Sequence, residues 1–140
     1  MTKAAFSLDA FDAATASDKP IEMEIILPDG SNSGAFLLVL GNESPKVQAE
    51  VNRLVNERRK KALRAEAVRV KGDAAFTPIE EDIEFGHRLT AVRVVGWRGI
   101  KEEWSPENAY RLVSRNASIA TQVTQASGEV ADFLRNSSAA

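Results

Sequence analysis

The stretch 45–71 contains no glycine and a single proline, which stands at its first position, and most of its residues favour helices. Ser44 is a suitable helix cap, and Pro45 fits the first helical turn. A helix of about 27 residues would be about 40 Å long at about 1.5 Å per residue. A continuous apolar stripe runs along its first half only, formed by Val47, Val51, Leu54 and Val55. The second half is therefore predicted to project into solvent or to pack on one side only.

Two apolar segments joined by a turn precede this stretch. Residues 21–27 alternate apolar and polar side chains over their first five positions, as a half-buried strand does. Pro28-Asp29-Gly30 has the composition of a turn, and 35–40 is a short apolar run that ends at a glycine. The sequence therefore predicts a β-hairpin, which needs a cover for its apolar face because one hairpin alone is marginally stable.

The next helix is predicted over residues 79–95, with Thr77 as its cap and Pro78 at its first position. Its apolar residues fall on two faces, so we expect a central helix that is buried on two sides. The valine-rich segment 91–95 can also be interpreted as a strand. The helix is preferred because the residues before that segment are too polar and too numerous for a strand.

Two further helices are predicted in the last third of the chain. The first begins at the Ser105 cap, followed by proline and glutamate. The second is amphipathic and begins at Asn116 or Ser118, with apolar residues at steps of three and four as far as residue 134. Gly128 lies inside this helix and is expected to weaken it mildly rather than to break it.

The 140 residues predict a single α+β domain over 20–135, in which an N-terminal β-hairpin packs on a mainly helical bundle of about four helices. Residues 1–19 are predicted to form a flexible N-terminal arm, with Phe6 and Phe11 as its anchors. Residues 136–140 are predicted to be a disordered tail.

Composition and charge exclude several classes of protein. The net charge of −2 gives no global attraction to nucleic acid or to an anionic membrane. The absence of cysteine excludes disulfide bonds and thiolate zinc sites. No run approaches the roughly 18 apolar residues of a membrane span, and the N-terminus lacks the basic-then-apolar pattern of a signal peptide. We therefore expect a protein that stays in the cytosol in which it is made.

Few side chains in this sequence point to catalysis. His87 is the single histidine and has no candidate nucleophile near it in sequence, so a surface or structural role is favoured over a general base. The acidic run 80–82 lacks further ligands at a spacing that suits a metal ion. No glycine-rich motif matches a phosphate-binding loop. We therefore expect no enzyme, no metal and no cofactor.

The segment 57–71 is strongly basic, with seven positive residues against two negative ones and a local charge of +5. A nucleic-acid interface would be expected to carry aromatic residues as well, and the segment has none. The acidic cluster of the next helix, 80–84, lies close in the chain. In an antiparallel helix pair the two charged segments would face each other and largely cancel.

The segment 96–113 carries both tryptophans, Trp97 and Trp104, at a turn directly before the predicted helix start. Such residues are either core anchors or the exposed anchors of a protein-binding surface, because tryptophan is enriched at binding hot spots. Trp97 follows apolar valines and is expected to be buried. Trp104 precedes the helix cap, where it can pack as a hydrophobic staple onto Ala109.

The order of these elements resembles that of the tail assembly chaperones of long-tailed phages. The resemblance covers residues 20–135 and rests on five features in sequence. They are the Pro-Asp-Gly hairpin, the Gly-Asn-Glu-Ser-Pro entry to a long charged helix (41–45), the Val-Val-Gly-Trp-Arg-Gly-Ile segment (94–100), the Trp-Ser-Pro-Glu-Asn helix start (104–108) and a closing amphipathic helix with Phe133. Trp104 stands where the family usually has phenylalanine.

This resemblance implies a late, non-virion protein of the host cytoplasm that binds the long, hydrophobic tape measure protein. It would keep that protein soluble while the tail assembles, and it would leave before the virion is complete. Further partners in the family's pattern are the major tail protein and a frameshifted longer form of the chaperone itself. The candidate partner-binding residues are Trp104, Tyr110, Ile119, Val123 and Phe133.

Two other functions stay open from the sequence. One is a small nucleic-acid-binding regulator that uses the basic helix 57–71. The other is a structural head-tail connector subunit that remains in the particle. Salt-dependent retention on DNA would distinguish the regulator, and presence in purified virions would distinguish the connector.

Overall fold

The computed structural model describes residues 7–68 and 79–138. Within them the chain has an α+β fold, as predicted, with a three-stranded antiparallel sheet, six α-helices and a short 3-10 helix at Leu8–Phe11. The elements in chain order are α1 (Ala13–Ser17), β1 (Ile21–Ile26), β2 (Asn32–Val39), α2 (Pro45–Val68), α3 (Ile79–Ala91), β3 (Val94–Arg98), α4 (Pro106–Arg115), α5 (Ala117–Gly128) and α6 (Val130–Ser138).

The predicted hairpin is confirmed and forms two thirds of the sheet. β1 and β2 pair in antiparallel fashion, with Ile21 opposite Val39 and Glu24 opposite Phe36. β2 begins at Asn32, three residues before the start predicted for it, and it lies in the middle of the sheet. The central position explains why its alternate side chains are fully buried on one face.

The third strand corrects the helix predicted over 79–95. α3 ends at Ala91, and Val94–Arg98 pairs with β2, so that Trp97 lies opposite Leu37. The edge of β2 that β1 leaves free has unpaired backbone N–H and C=O groups, and a strand can pair with them whereas a helix cannot. β-Branched valines also suit a strand. A strand was the alternative interpretation of 91–95, and the structure has one that begins three residues later, at Val94. The cap predicted at Thr77 and Pro78 lies outside the described residues.

α3 is also not the central helix that its two apolar faces predict. Phe85 and Leu89 are half-buried, and Ala91 is buried. Ile79 and Ile83, on the other face, are 67% and 53% exposed. The helix therefore packs on one side, because no second element covers the face that carries the two isoleucines within the described part of the chain.

The core lies on one face of the sheet, where α5 packs on β1 and β2 and side chains of α4 join the same buried cluster. Its fully buried members come from both layers, and a large apolar side chain in such a site is worth about 1.5–3 kcal/mol. They are Leu37 and Val39 from β2, Ala109 and Val113 from α4 and Val123 from α5. Ile25, Ala91 and Val94 complete the buried cluster at the edges.

The last helix is two helices, which corrects the continuous helix predicted through Gly128. α5 ends at Gly128, and Glu129 leaves the helical conformation with φ −85° and ψ 76°. The backbone N–H of Asn42 donates to the carbonyl of Ser127 at 2.9 Å, which satisfies an acceptor at the end of α5. α6 then continues to Ser138, into the segment predicted to be a disordered tail.

The N-terminal arm is anchored differently from the prediction. Phe11 is 66% exposed, and Phe6 lies outside the described residues. Ala16 and Ser17 of α1 are buried, and α1 packs against α6. A Cβ on Gly41 would lie 2.5 Å from the Ser17 side-chain oxygen, so a glycine permits this close approach.

The long helix α2 follows the prediction for its two halves. Val47 in the first turn is buried, and Val51, Leu54 and Val55 are half-buried. Every side chain from Arg59 to Ala65 is exposed. The second half of α2 therefore projects from the sheet and is accompanied by α3 alone among the described elements.

Candidate functional site

Two indole hydrogen bonds hold the connection between β3 and α4. The N–H of Trp97 donates to the carbonyl of Glu102 at 2.8 Å, and the N–H of Trp104 donates to the carbonyl of Val94 at 3.1 Å. The Ser105 side chain accepts from the backbone N–H of Asn108 at 3.0 Å, which confirms the predicted helix cap. Hydrogen bonds from or to the side chains of Trp97, Trp104 and Ser105 therefore fix the connection between β3 and α4 at both ends.

A cleft of about 260 Å³ lies where α2, the end of α3, β3 and the start of α4 meet. We call it the Trp104 cleft. Its lining is mainly apolar and includes Leu54, Val92, Val94, Val95, Trp104 and Tyr110. Trp104 is 37% exposed and Val95 is 36% exposed, so both present apolar surface to solvent. Large apolar side chains exposed side by side are a mark of a protein-binding surface.

The rim of the Trp104 cleft carries charges that are paired among themselves. Arg53 forms ion pairs of 2.8 Å with both Glu50 and Glu57. The hydrogen bond to Glu50 is the main reason that the pKa of Arg53 is raised above its usual range. Arg88 pairs with Glu84 at 2.7 Å and lies over the ring of Tyr110. Because its cations already have partners, the cleft offers apolar surface rather than a free charge.

The structure brings two of the five candidate partner-binding residues together. Trp104 and Tyr110 both line the Trp104 cleft. Ile119 is half-buried and packs against the core from α5. Val123 and Phe133 are fully buried, which corrects their assignment as partner-binding residues. Val123 is part of the core under the sheet, and the Phe133 ring would lie 3.2 Å from a Cβ on Gly41, so both side chains pack inside the fold.

Val92 and Val95 are site residues that the sequence analysis missed. Both were placed in a helix, whereas the strand turns Val94 into the core and leaves Val95 exposed at the cleft. The signal was the local concentration of valines at 92, 94 and 95, because β-branched residues are enriched in strands.

The predicted pairing of the basic helix with the acidic cluster of α3 is observed for two side chains in the described part of the chain. Arg58 pairs with Asp82 and also lies 4.6 Å from the centre of the Phe85 ring. Lys61 pairs with Glu81 at 3.2 Å. These contacts orient two of the basic side chains toward α3. They reduce the positive surface that a nucleic acid would need.

His87 is half-buried on α3 and packs edge-on against Tyr110, with ring centres 6.5 Å apart. Among residues 7–68 and 79–138, no three side chains of the metal-binding types converge. No helix in those same ranges has both the length and the apolar character needed to cross a bilayer.

Comparison with known proteins identifies no relative of this chain. No protein-family profile, curated protein or solved structure matches the chain. The function is therefore inferred from the Trp104 cleft and from the order of elements in the sequence.

Proposed function

We propose that this chain is a phage tail assembly chaperone, which binds the tape measure protein in the host cytoplasm and keeps it soluble until the tail assembles around it. The Trp104 cleft is the observation that carries the proposal. The order of the elements from the hairpin to Phe133 resembles that of the family, and this resemblance is the reason for proposing the tape measure protein as the partner.

The chemistry of the cleft suits a protein partner. Tryptophan is enriched among binding hot spots, and hot spots of two partners tend to pair in apolar pockets. The bond between the Trp104 indole and the Val94 carbonyl fixes the side chain before binding. Less conformational entropy is then lost when a partner docks, so a small contact can still be specific.

The size of the cleft favours side chains as its occupants. At about 260 Å³ it lies at or below the usual range for small-molecule sites, about 300–1,000 Å³. An apolar side chain of a partner helix is a suitable occupant. One anchor of this size gives modest affinity, as a chaperone that later leaves its partner requires.

Co-expression tests the proposal. The tape measure protein of the same phage is produced with and without this chain, and its soluble fraction is measured. We expect the chain to raise that fraction and Trp104→Ala to remove most of the gain. Leu63→Ala is the matched control, because Leu63 is an exposed apolar residue of α2 outside the cleft lining.

Thermal melts of each variant show whether it is folded, so loss of binding can be separated from loss of structure. An unchanged soluble fraction with the wild-type chain would contradict the proposal. Mass spectrometry of purified virions gives a second check. A chaperone is absent from them, whereas stoichiometric retention would identify a connector subunit.

A further inference from the structure

A second cleft, of about 270 Å³, lies between α4 and the segment that follows β3. We call it the Trp97 cleft. One part of its wall is apolar and is formed by Trp97, Ile100 and Leu112. The other part carries the side chains of Arg111 and Arg115, one helical turn apart on α4. The cleft therefore combines an aromatic surface with two guanidinium groups.

Four arginines have an acidic residue three or four positions away on the same described helix, and Arg111 is the one that forms no ion pair with it. Arg53, Arg88 and Arg135 each form an ion pair with such a neighbour. Glu107 stands four positions before Arg111, in the orientation that favours a pair. No ion pair joins them, and Arg111 lines the cleft instead.

Neither Arg111 nor Arg115 forms an ion pair within the described ranges, although Glu102 also lines the cleft. Arg115 lies in the last turn of α4, where a positive charge interacts favourably with the helix dipole. That interaction accounts for the position of Arg115 in the sequence. It does not account for Arg111, which lies one turn earlier and has an unused acidic neighbour.

The walls of the Trp97 cleft are fixed by hydrogen bonds before any ligand arrives. The indole N–H of Trp97 is bonded to the Glu102 carbonyl at 2.8 Å. The side-chain amide of Asn108 donates to the Glu103 carbonyl at 2.9 Å, and that of Asn116 donates to the Leu112 carbonyl at 2.9 Å. One N–H of each amide is therefore engaged, and the two arginines are the positively charged donors that the cleft offers to an incoming group.

We propose that the Trp97 cleft binds the carboxylate of an acidic residue in a partner polypeptide, with a neighbouring apolar side chain of that polypeptide packed on Trp97. Guanidinium groups bind carboxylates through paired, charge-assisted hydrogen bonds. The apolar wall supplies the second half of the recognition. The site goes beyond the proposed function, since it does not depend on which protein supplies the segment.

The test uses two capped dipeptides that differ in one functional group, acetyl-Glu-Leu-amide and acetyl-Gln-Leu-amide. Each is titrated into the full ¹⁵N-labelled chain over the millimolar range, and the Trp97 indole and Arg111 side-chain signals are followed by NMR. We expect saturable shifts with the glutamate peptide and binding about tenfold weaker with the glutamine peptide.

Variants assign the binding to the cleft. Arg111→Gln should weaken binding of the glutamate peptide about tenfold, because one charge-assisted contact is lost. Arg59→Gln is the matched control, since Arg59 is an exposed arginine of α2 outside the cleft, and it should leave the affinity unchanged.

Several outcomes would overturn the proposal. They are equal binding of the two peptides, absence of saturable shifts, and an Arg59→Gln variant that is as impaired as Arg111→Gln. Inorganic phosphate is titrated as a further probe. If it saturates the same signals more tightly than the glutamate peptide, the ligand is a phosphate group and the carboxylate assignment is wrong. None of these results depends on the co-expression experiment.

Discussion

The sheet with its covering helices and the outer part of the α2–α3 pair are stabilised in different ways. The first region, which we call the body, buries large side chains completely, among them Leu37, Val113 and Phe133. The outer pair, residues 58–65 and 79–84, is mostly exposed and is joined by surface ion pairs. Burial of apolar side chains stabilises the body, whereas surface ion pairs join the two helices of the outer pair.

The difference in energy between these contacts is large. A buried apolar side chain contributes about 1.5–3 kcal/mol, whereas an exposed ion pair contributes about 0–1 kcal/mol. The body should therefore determine the stability of the chain. The Trp104 cleft lies outside the outer pair, because its lining takes Leu54 from the first half of α2 and Val95 and Tyr110 from the body.

The largest difference is expected between two apolar deletions. Phe133→Ala removes a fully buried ring and should lower the free energy of unfolding by about 3–5 kcal/mol. Leu63→Ala removes a side chain that is 69% exposed and should change it by less than about 0.5 kcal/mol. Urea denaturation of both variants measures the two values, and similar losses would refute the distinction between the regions.

A glycine at the end of β3 gives the next largest effect. Gly99 has φ +78°, and a Cβ there would overlap the carbonyl of Gly34 on β2. Gly99→Ala should therefore cost about 2–4 kcal/mol, from backbone strain and overpacking together. Gly30 also has a positive φ, but open space surrounds it, so Gly30→Ala should cost about 1 kcal/mol. If denaturant melts show equal losses of stability for the two variants, the overlap with Gly34 does not contribute to the cost at Gly99.

Two buried serines should respond with opposite signs. Ser127 donates to the Leu40 carbonyl at 2.8 Å and contacts Asn42 at the same distance, so Ser127→Ala should cost about 1–2 kcal/mol. The Ser17 hydroxyl is buried without a hydrogen-bond partner among the described residues. Ser17→Ala should be neutral or stabilise by up to about 1 kcal/mol. A marked loss of stability in Ser17→Ala melts would contradict this assignment.

The smallest effect is expected in the outer pair. Asp82→Asn removes the partner of Arg58, whose side chain is 39% exposed, and should change stability by less than about 1 kcal/mol. The same variant leaves Arg58 without its acidic partner and so uncovers positive charge on α2.

A separate prediction concerns DNA. Fluorescence anisotropy should detect negligible duplex DNA binding by the wild-type chain near physiological salt. Tight, salt-sensitive binding by the wild type would support the nucleic-acid alternative instead.

Local signals in the sequence predicted much of the fold. The hairpin, the Ser105 cap and the facing charges of α2 and α3 follow from neighbouring residues, and all are observed. β3 could not be recognised in this way, because its partner β2 lies more than 50 residues earlier in the chain. Pairing across that distance is decided by tertiary structure, which overrides local preference.

The site was predicted less completely than the fold, for the same reason. Val123 and Phe133 belong to a segment with helical apolar spacing, and a buried face and a binding face of such a segment have the same period. The break after Gly128 depends on a bond from Asn42, which no local pattern reveals. Only the packing of α6 against α1 shows that Phe133 belongs to the core.

Hydrogen–deuterium exchange of the full chain, alone and with the tape measure protein, tests most directly whether the Trp104 cleft is the binding site. We expect the partner to slow exchange in residues 92–95 and 104–110 and to leave 59–65 unchanged. Slower exchange confined to the outer α2–α3 pair, or none in any segment, would contradict it.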